Sequence, residues 1–158
     1  MNKFKSFFGS VVAVLFILSM LACEKEIECS FDDDQTTIKN YLSANNLVAE
    51  KSATGLHYII QEPGIGNLYP QGNSNVRVKY KGYFTDGTVF DESSNGGITF
   101  ALRDVIIGWQ EGISKLKKQG KAILLIPSSL AYGTRTVGNI EGRECSVIIF
   151  DVTLEDFQ

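Results

Sequence analysis

Residues 80–93 read YKGYFTDGTVFDES: aromatics on an alternating stretch, an Asp-Gly turn, then Phe90 and a single carboxylate, Asp91. A carboxylate in catalysis usually works with a partner, and the chain offers few. His57 is the only histidine and falls on the side of its strand opposite the apolar set, so it reads as exposed. A Ser-His-Asp triad would depend on that ring. The sequence holds no G-x-S-x-G, H-E-x-x-H or P-loop pattern. One histidine and the two cysteines downstream of Cys23, Cys29 and Cys145, do not compose a zinc site of the usual kind, so no metal is expected. Glycoside hydrolysis needs two acids across a cleft, and no such pairing is visible. An acid flanked by aromatics points instead to binding, or to a reaction in which no proton moves.

Composition narrows the field further. The 158 residues are 44% hydrophobic and 21% charged, a globular balance. With 15 basic against 18 acidic residues the formal net charge is −3, and a nucleic-acid surface would need a basic stripe. The first residues stand apart: Lys3 and Lys5 precede VVAVLFILSMLA, which has the length and flank of a signal-peptide core. After it, CEKEIECSFDDD is acidic and poor in core formers, as a solvated tether would be. Cys29 lies in that stretch and is read, with Cys145, as a free thiol. Pairing in an oxidising compartment stays open, because spacing does not reveal connectivity.

The elements that must carry Asp91 and its neighbours follow from periodicity. Asp34 reads as a helix cap, Ile38, Tyr41 and Leu42 recur at helical spacing, and Asn45-Asn46 closes the helix. Leu56, Tyr58 and Ile60 alternate before Pro63-Gly64. In VRVKYKGYF, Val76, Val78 and Tyr80 point inward; after the turn, TVFD returns antiparallel. ITFAL is a brief strand. GWQEGISKLKKQG reads as a helix with Ile113 and Leu116 inward and Gly120 as its stop. KAILLIP and SVIIFDVTLEDF are strands, joined by the long loop SSLAYGTRTVGNIEGREC. The expected fold is α+β: an antiparallel five-stranded half-roll sheet wrapped on one short helix, with a short N-terminal helix in front.

VKYKGYFTDGTVFDES, VIIGWQEGI, AYG and IIFDVTLEDF, in that order, resemble the FKBP-type peptidyl-prolyl cis-trans isomerases over about residues 55–157. Taken singly, each aromatic reads as core packing; the ordered set carries the resemblance. It implies isomerisation of X-Pro bonds in exported proteins, with no cofactor. Tyr80, Phe90, Asp91, Trp109, Tyr132 and Phe150 match the family's catalytic pocket, with Trp109 as its floor. Val105, Ile106 and Ile140 match substrate-binding positions. The reaction explains the missing acid-base pair, since turning an imide breaks no bond. A buried Asp91 would need a donor, and the phenol of Tyr80 across the hairpin is the sensible one. Two departures stand out: no basic residue follows to pair with Asp91, and GNIEGREC replaces a proline-bearing loop segment. They keep a second reading open, a catalytically weak proline-peptide binding module or chaperone; a third is a structural lipoprotein with a vestigial cavity. Macrolide inhibitors are implied as possible ligands.

Leu21-Ala22-Cys23 in turn resembles the lipobox of bacterial lipoproteins, with Met20 as a departure. That implies lipidation of Cys23 and a place in the bacterial cell envelope, lipid-anchored at the outer membrane. The expected divisions are a signal peptide (1–22), a lipidated acidic tether (23–33), an N-terminal helical extension (34–54) and the isomerase domain (55–158). The partners implied are proline-containing polypeptides and, through the lipid, a membrane. Nucleic acid is excluded, and the short helix is too brief for a helical dimerisation arm, leaving a monomer.

Overall fold

Hydrophobic patterning decides which strands lie in the middle of the sheet. AILLI and VIIF are apolar at successive positions, so both of their faces need cover, whereas VRVKYKGYF alternates and needs cover on one. The computed structural model, which describes residues 26–158, meets both demands. Its elements are α1 (Phe31–Ala44), β1 (Glu50–Lys51), β2 (His57–Glu62), β3 (Asn75–Phe84), β4 (Val89–Glu92), β5 (Ile98–Ala101), α2 (Ile107–Ile113), β6 (Gly120–Ile126) and β7 (Ile148–Phe157). One-turn 3-10 helices occupy Leu102–Asp104 and Ser128–Leu130.

The strands form one antiparallel sheet in the order β1-β2-β6-β7-β3-β4, and β5 shares the outer edge of β3 with β4. The half-roll thus has seven strands among the described residues, against the five expected. β1, at two residues, carries too little pattern to be seen, while ITFA, already read as a brief strand, takes its own place in the sheet on the same edge of β3 as β4. On the inner face, Ala122, Leu124, Ile126, Ile148, Phe150, Val152 and Leu154 pack with Ile113 and Leu116 into the main core. On the outer face, Leu125 and Ile149 meet Ile38 of α1 and Val147, with Tyr41 and Leu42 alongside. Two helices on opposite faces account for the unbroken apolar runs of β6 and β7.

Helix α2 lies unusually close to the sheet because it presents glycine at successive turns. A Cβ built on Gly108 would stand 2.4 Å from Ile126 Cγ2, and one on Gly112 2.6 Å from Leu124 Cδ1. The helix ends at Ile113, well before Gly120. Residues 117–119 spend their backbone groups elsewhere: Lys117 N–H donates to Pro63 O, Lys118 O accepts from Ile65, and Gln119 N–H donates to Leu154 O.

Helix α1 corrects several expectations. It starts at Phe31, inside the stretch expected to be tether, and its cap is Ser30, whose Oγ accepts from Asp33 N. Asp34 does not cap. Its buried carboxylate Oδ2 accepts from Ser128 N at 2.8 Å and Ser128 Oγ at 2.7 Å. His57 is buried rather than exposed, because α1 covers its side of the sheet; its Nε2 lies 3.0 Å from Gln35 Oε1. Burial, with Lys51 and Lys39 nearby, lowers its pKa. Cys29 and Cys145 are not free thiols but a disulfide with Cα atoms 5.0 Å apart. No helix of the described residues is long and apolar enough to cross a membrane. The expected signal peptide and Cys23 lie outside the described residues.

Candidate active site

An open cavity of about 540 Å³ enters the inner face between α2 and the segment after β6. That size suits a small ligand or a short stretch of peptide. Each strand contributes by its pleat. β3 points Tyr80 inward, one pleat beyond Val78; β7 points Phe150 inward from the register opposite Gly82. Gly82 is needed there: a Cβ would meet Phe150 Cε1 at 2.6 Å and Phe90 Cζ at 2.8 Å. The first turn of α2 places Trp109 beneath the opening, the indole only 4% exposed while still lining the cavity.

The rings converge on that indole. Tyr80, Phe150 and Phe100 stand edge-on to it at centroid distances of 5.0, 5.0 and 5.8 Å and interplanar angles near 80°. Such T-shaped arrangements are the favoured way to pack quadrupolar rings. Trp109 Nε1 is buried without a hydrogen-bond partner among the described residues, which buried polar groups seldom tolerate. The cavity is therefore floored and walled by aromatic carbon.

Its polar groups are few. The Tyr80 hydroxyl donates to Asp91 Oδ2 at 2.7 Å. Burial, together with this bond and the Asp91 charge, pushes the Tyr80 pKa well above the ordinary phenol value. Tyr132 is also raised, by burial first and by Asp91 second, with Arg135 acting in the opposite sense. Both phenols therefore keep their protons at neutral pH and remain donors. Asp91 itself lies exposed at the mouth, not buried among the rings: β4 is an edge strand, and from its place opposite Gly82 the side chain reaches only the rim of the cavity. Asp104 and Arg135 are the other charged residues at the rim.

Of the residues singled out from the sequence, Tyr80, Asp91, Val105, Ile106, Trp109, Tyr132 and Phe150 line this one cavity. Phe90 stands behind the wall, its ring 5.5 Å from Phe150 and 5.1 Å from Phe84. Ile140 packs against the main core from the loop without reaching the lining. Val105 and Ile106 are extended, and the Ile106 carbonyl accepts from Trp109 and Gln110 at the start of α2. Sequence reasoning missed Phe100, Asp104, Ile107, Ala131 and Arg135. Phe100 had a usable signal: its register opposite Val76 puts it on the inward side of a strand already recognised. Arg135 had none, since its place at the rim depends on the loop path.

Comparison with known proteins adds an independent line. Residues 66–155 match the family model for FKBP-type peptidyl-prolyl cis-trans isomerase. Proteins named FKBP-type peptidyl-prolyl cis-trans isomerase FkpA are among the similar sequences. That of Buchnera aphidicola from Schizaphis graminum is 43% identical over 110 residues, covering 68% of this chain and 43% of its own length. The Escherichia coli protein is 37% identical over 139 residues, covering 85% and 50%. The chain spans about half the length of these relatives. Among solved structures, FkpA from Escherichia coli superposes with a TM-score of 0.70 at 37% identity, over 80% of this chain and 60% of that one. A peptidyl-prolyl cis-trans isomerase from Pseudomonas syringae gives 0.67 at 25% identity, over 84% and 98%.

Proposed function

The chain belongs to the FKBP-type peptidyl-prolyl cis-trans isomerase family, and on that footing we propose that it catalyses rotation about X-Pro bonds in exported polypeptides. The observation that carries the proposal is the open, indole-floored cavity with phenol donors at its wall and no acid-base pair inside it. Rotation about an imide is slow because resonance must be lost, at a barrier of about 18–20 kcal/mol. Bonds and protons stay where they are. The catalyst need only hold the twisted amide more tightly than either planar form. Twisting reduces charge separation between nitrogen and oxygen, so an aromatic cavity disfavours the planar amide relative to the twisted one. Differential binding of about 5 kcal/mol corresponds to nearly four decades in rate.

Within this reading Trp109 supports the pyrrolidine ring, with Phe150 and Tyr80 beside it. The Ile106 amide and the Tyr132 hydroxyl are donors for carbonyls of the bound chain. Asp91 holds the Tyr80 phenol in one orientation, and Phe90 backs Phe150. Val105 lines the wall at the mouth, and Ile140 holds the loop onto the core. Macrolides that present a proline-like ring would enter the same cavity.

Residues 1–22 act in this proposal as a signal peptide, and Cys23 as the lipidated residue that ties residues 55–158 to the bacterial envelope. The short α1 supplies no dimerisation arm, so the protein works as a monomer. Mass spectrometry of the exported protein for acyl chains on Cys23 tests the anchor.

The isomerase is tested by NMR exchange spectroscopy on a proline tetrapeptide. Trp109→Leu and Phe150→Ala should each lower the exchange rate while the fold survives. Unchanged rates in both would remove this assignment of the site. A proline-free segment 133–145 favours a second reading, a peptide-binding module with little turnover. Saturable binding of the tetrapeptide without enhanced exchange would select it.

A further inference from the structure

The wall of the cavity that carries Tyr132 is built from chain with little structure of its own. Between Ser128 and Cys145 there is one turn of 3-10 helix and one isolated bridge, Val137 to Ile140. Backbones of positive φ recur at Gly133, Gly138, Asn139, Gly142 and Cys145, and no proline limits the alternatives. Such a segment takes one conformation only if its ends are held.

Both ends are held by the same element. At the near end, Asp34 of α1 receives the N–H and the hydroxyl of Ser128, and both residues are buried, at 5% and 1% exposure. At the far end, Cys29, one residue before the Ser30 cap, is bonded to Cys145. The loop base is drawn shut by the Cys145 N–H, which donates to Gly133 O at 2.8 Å. α1 in turn is fixed to the outer sheet face through Ile38 against Leu125 and Ile149. A rod seated on the sheet therefore grips residues 128 and 145, and the span between them brings Ala131, Tyr132 and Arg135 to the cavity and rests Gly138 on Phe90. The rod lies outside residues 66–155, the part matched to the family.

We propose that α1 is a brace for the substrate-binding wall, with Asp34 and Cys29 as positioning residues that act through Tyr132. The proposal rests on the isomerase reading of the cavity. The brace touches neither the floor nor the strand-borne rings, since Trp109, Tyr80 and Phe150 come from α2, β3 and β7. It therefore governs how often the wall is in its binding arrangement, and so KM, and leaves kcat nearly alone.

The test uses the full chain with Asp34→Asn, with Cys29→Ser paired to Cys145→Ser, and with all three changes. Proline exchange is measured at several peptide concentrations, well below the unfolding temperature of each variant. If freeing one end leaves the wall competent for about a tenth to a third of the time, KM rises about 3- to 10-fold with kcat within about twofold. Amides of 133–145 should lose exchange protection while those of β3 and β7 keep theirs. The triple variant should exceed the product of the separate effects. KM within twofold of wild type in folded variants overturns the proposal, as does a fall in kcat that merely follows lost global stability. Should Asp34→Asn fail to fold, Ser128→Ala is judged by the same criteria. If the wild-type chain binds the tetrapeptide without turning it over, the isomerase reading fails by itself. The brace is then decided by whether Kd rises in the same variants.

Discussion

Helix α2 is the place where packing and chemistry are most tightly joined, and Gly108→Ala tests the joint. The added methyl would stand 2.4 Å from Ile126 Cγ2, with Cδ1 at 3.0 Å and Cγ1 at 3.1 Å. Carbon atoms rest at about 3.5–4.0 Å, so something must move by about 1 Å. Ile126 has nowhere to go: it is fully buried and its backbone is paired with Ile148 in the central strand. The short helix therefore gives way, and the next residue along it is Trp109. Overpacking of this kind costs about 1–3 kcal/mol, small enough to leave a domain of ordinary stability folded. Displacing a positioned group by about 1 Å can cost about 100-fold in rate, so kcat/KM should fall by about 10- to 100-fold. Exchange NMR reports the rate and a urea titration reports the stability. Gly66→Ala is the control: its φ is +83° and a Cβ there meets nothing within 4 Å, so it strains the backbone without touching the site. Wild-type kcat/KM in Gly108→Ala, beside the expected loss of stability, would mean that the position of the indole does not govern turnover. No change in either quantity would mean that the close approach of α2 to β6 is wrong.

Three further outcomes follow from groups already described. Because burial and Asp91 hold both Tyr80 and Tyr132 above the ordinary phenol value, kcat/KM should be flat from about pH 7 to 9; a basic-limb loss near pH 9 would place an ionising phenol in the mechanism. The lowered pKa of His57 makes the ring neutral in the fold, so its contribution to stability is complete above about pH 6.5. That contribution is lost as the pH falls towards the folded pKa, because the unfolded chain takes up the proton; the slope is at most about 1.4 kcal/mol per pH unit, and urea midpoints for wild type and His57→Gln should converge in acid. Reducing the Cys29–Cys145 bond, which closes a 116-residue separation, should cost about 2–5 kcal/mol by calorimetry or urea titration, and no loss would show that the bond constrains nothing in the unfolded chain.

What could be read from residues alone divides along physical lines. Strands β3, β6 and β7 were legible because alternation and unbroken apolar runs report directly on how many faces are covered. Their antiparallel pairing was legible because connections without long helices leave little alternative. The fit of Tyr80 to Asp91 was legible from local geometry, two partners across one hairpin. Several of the misjudged features involve α1. An exposed His57, a capping Asp34 and an unpaired Cys29 each follow when the helix is treated as a loose extension. Its seat on the sheet through Ile38 is joined by polar and covalent keys, Asp34, Gln35 and the disulfide, and hydrophobic periodicity does not register those. Helix α2 was drawn too long for a related reason, since the backbone partners of residues 117–119 lie in distant parts of the chain.

The strand order has a bearing on when this fold can form. β7, residues 148–157, sits between β6 and β3 and is hydrogen-bonded along both of its edges. Until those residues are available, β2 with β6 and β3 with β4 are two separate half-sheets, each offering a bare edge and half a core. Assembly awaits β7, which joins partners some 70 positions apart at Tyr80 and Val152. A topology of that kind commits late, and a chain threaded N-terminus first through a narrow passage would reach the far side before it could close on itself.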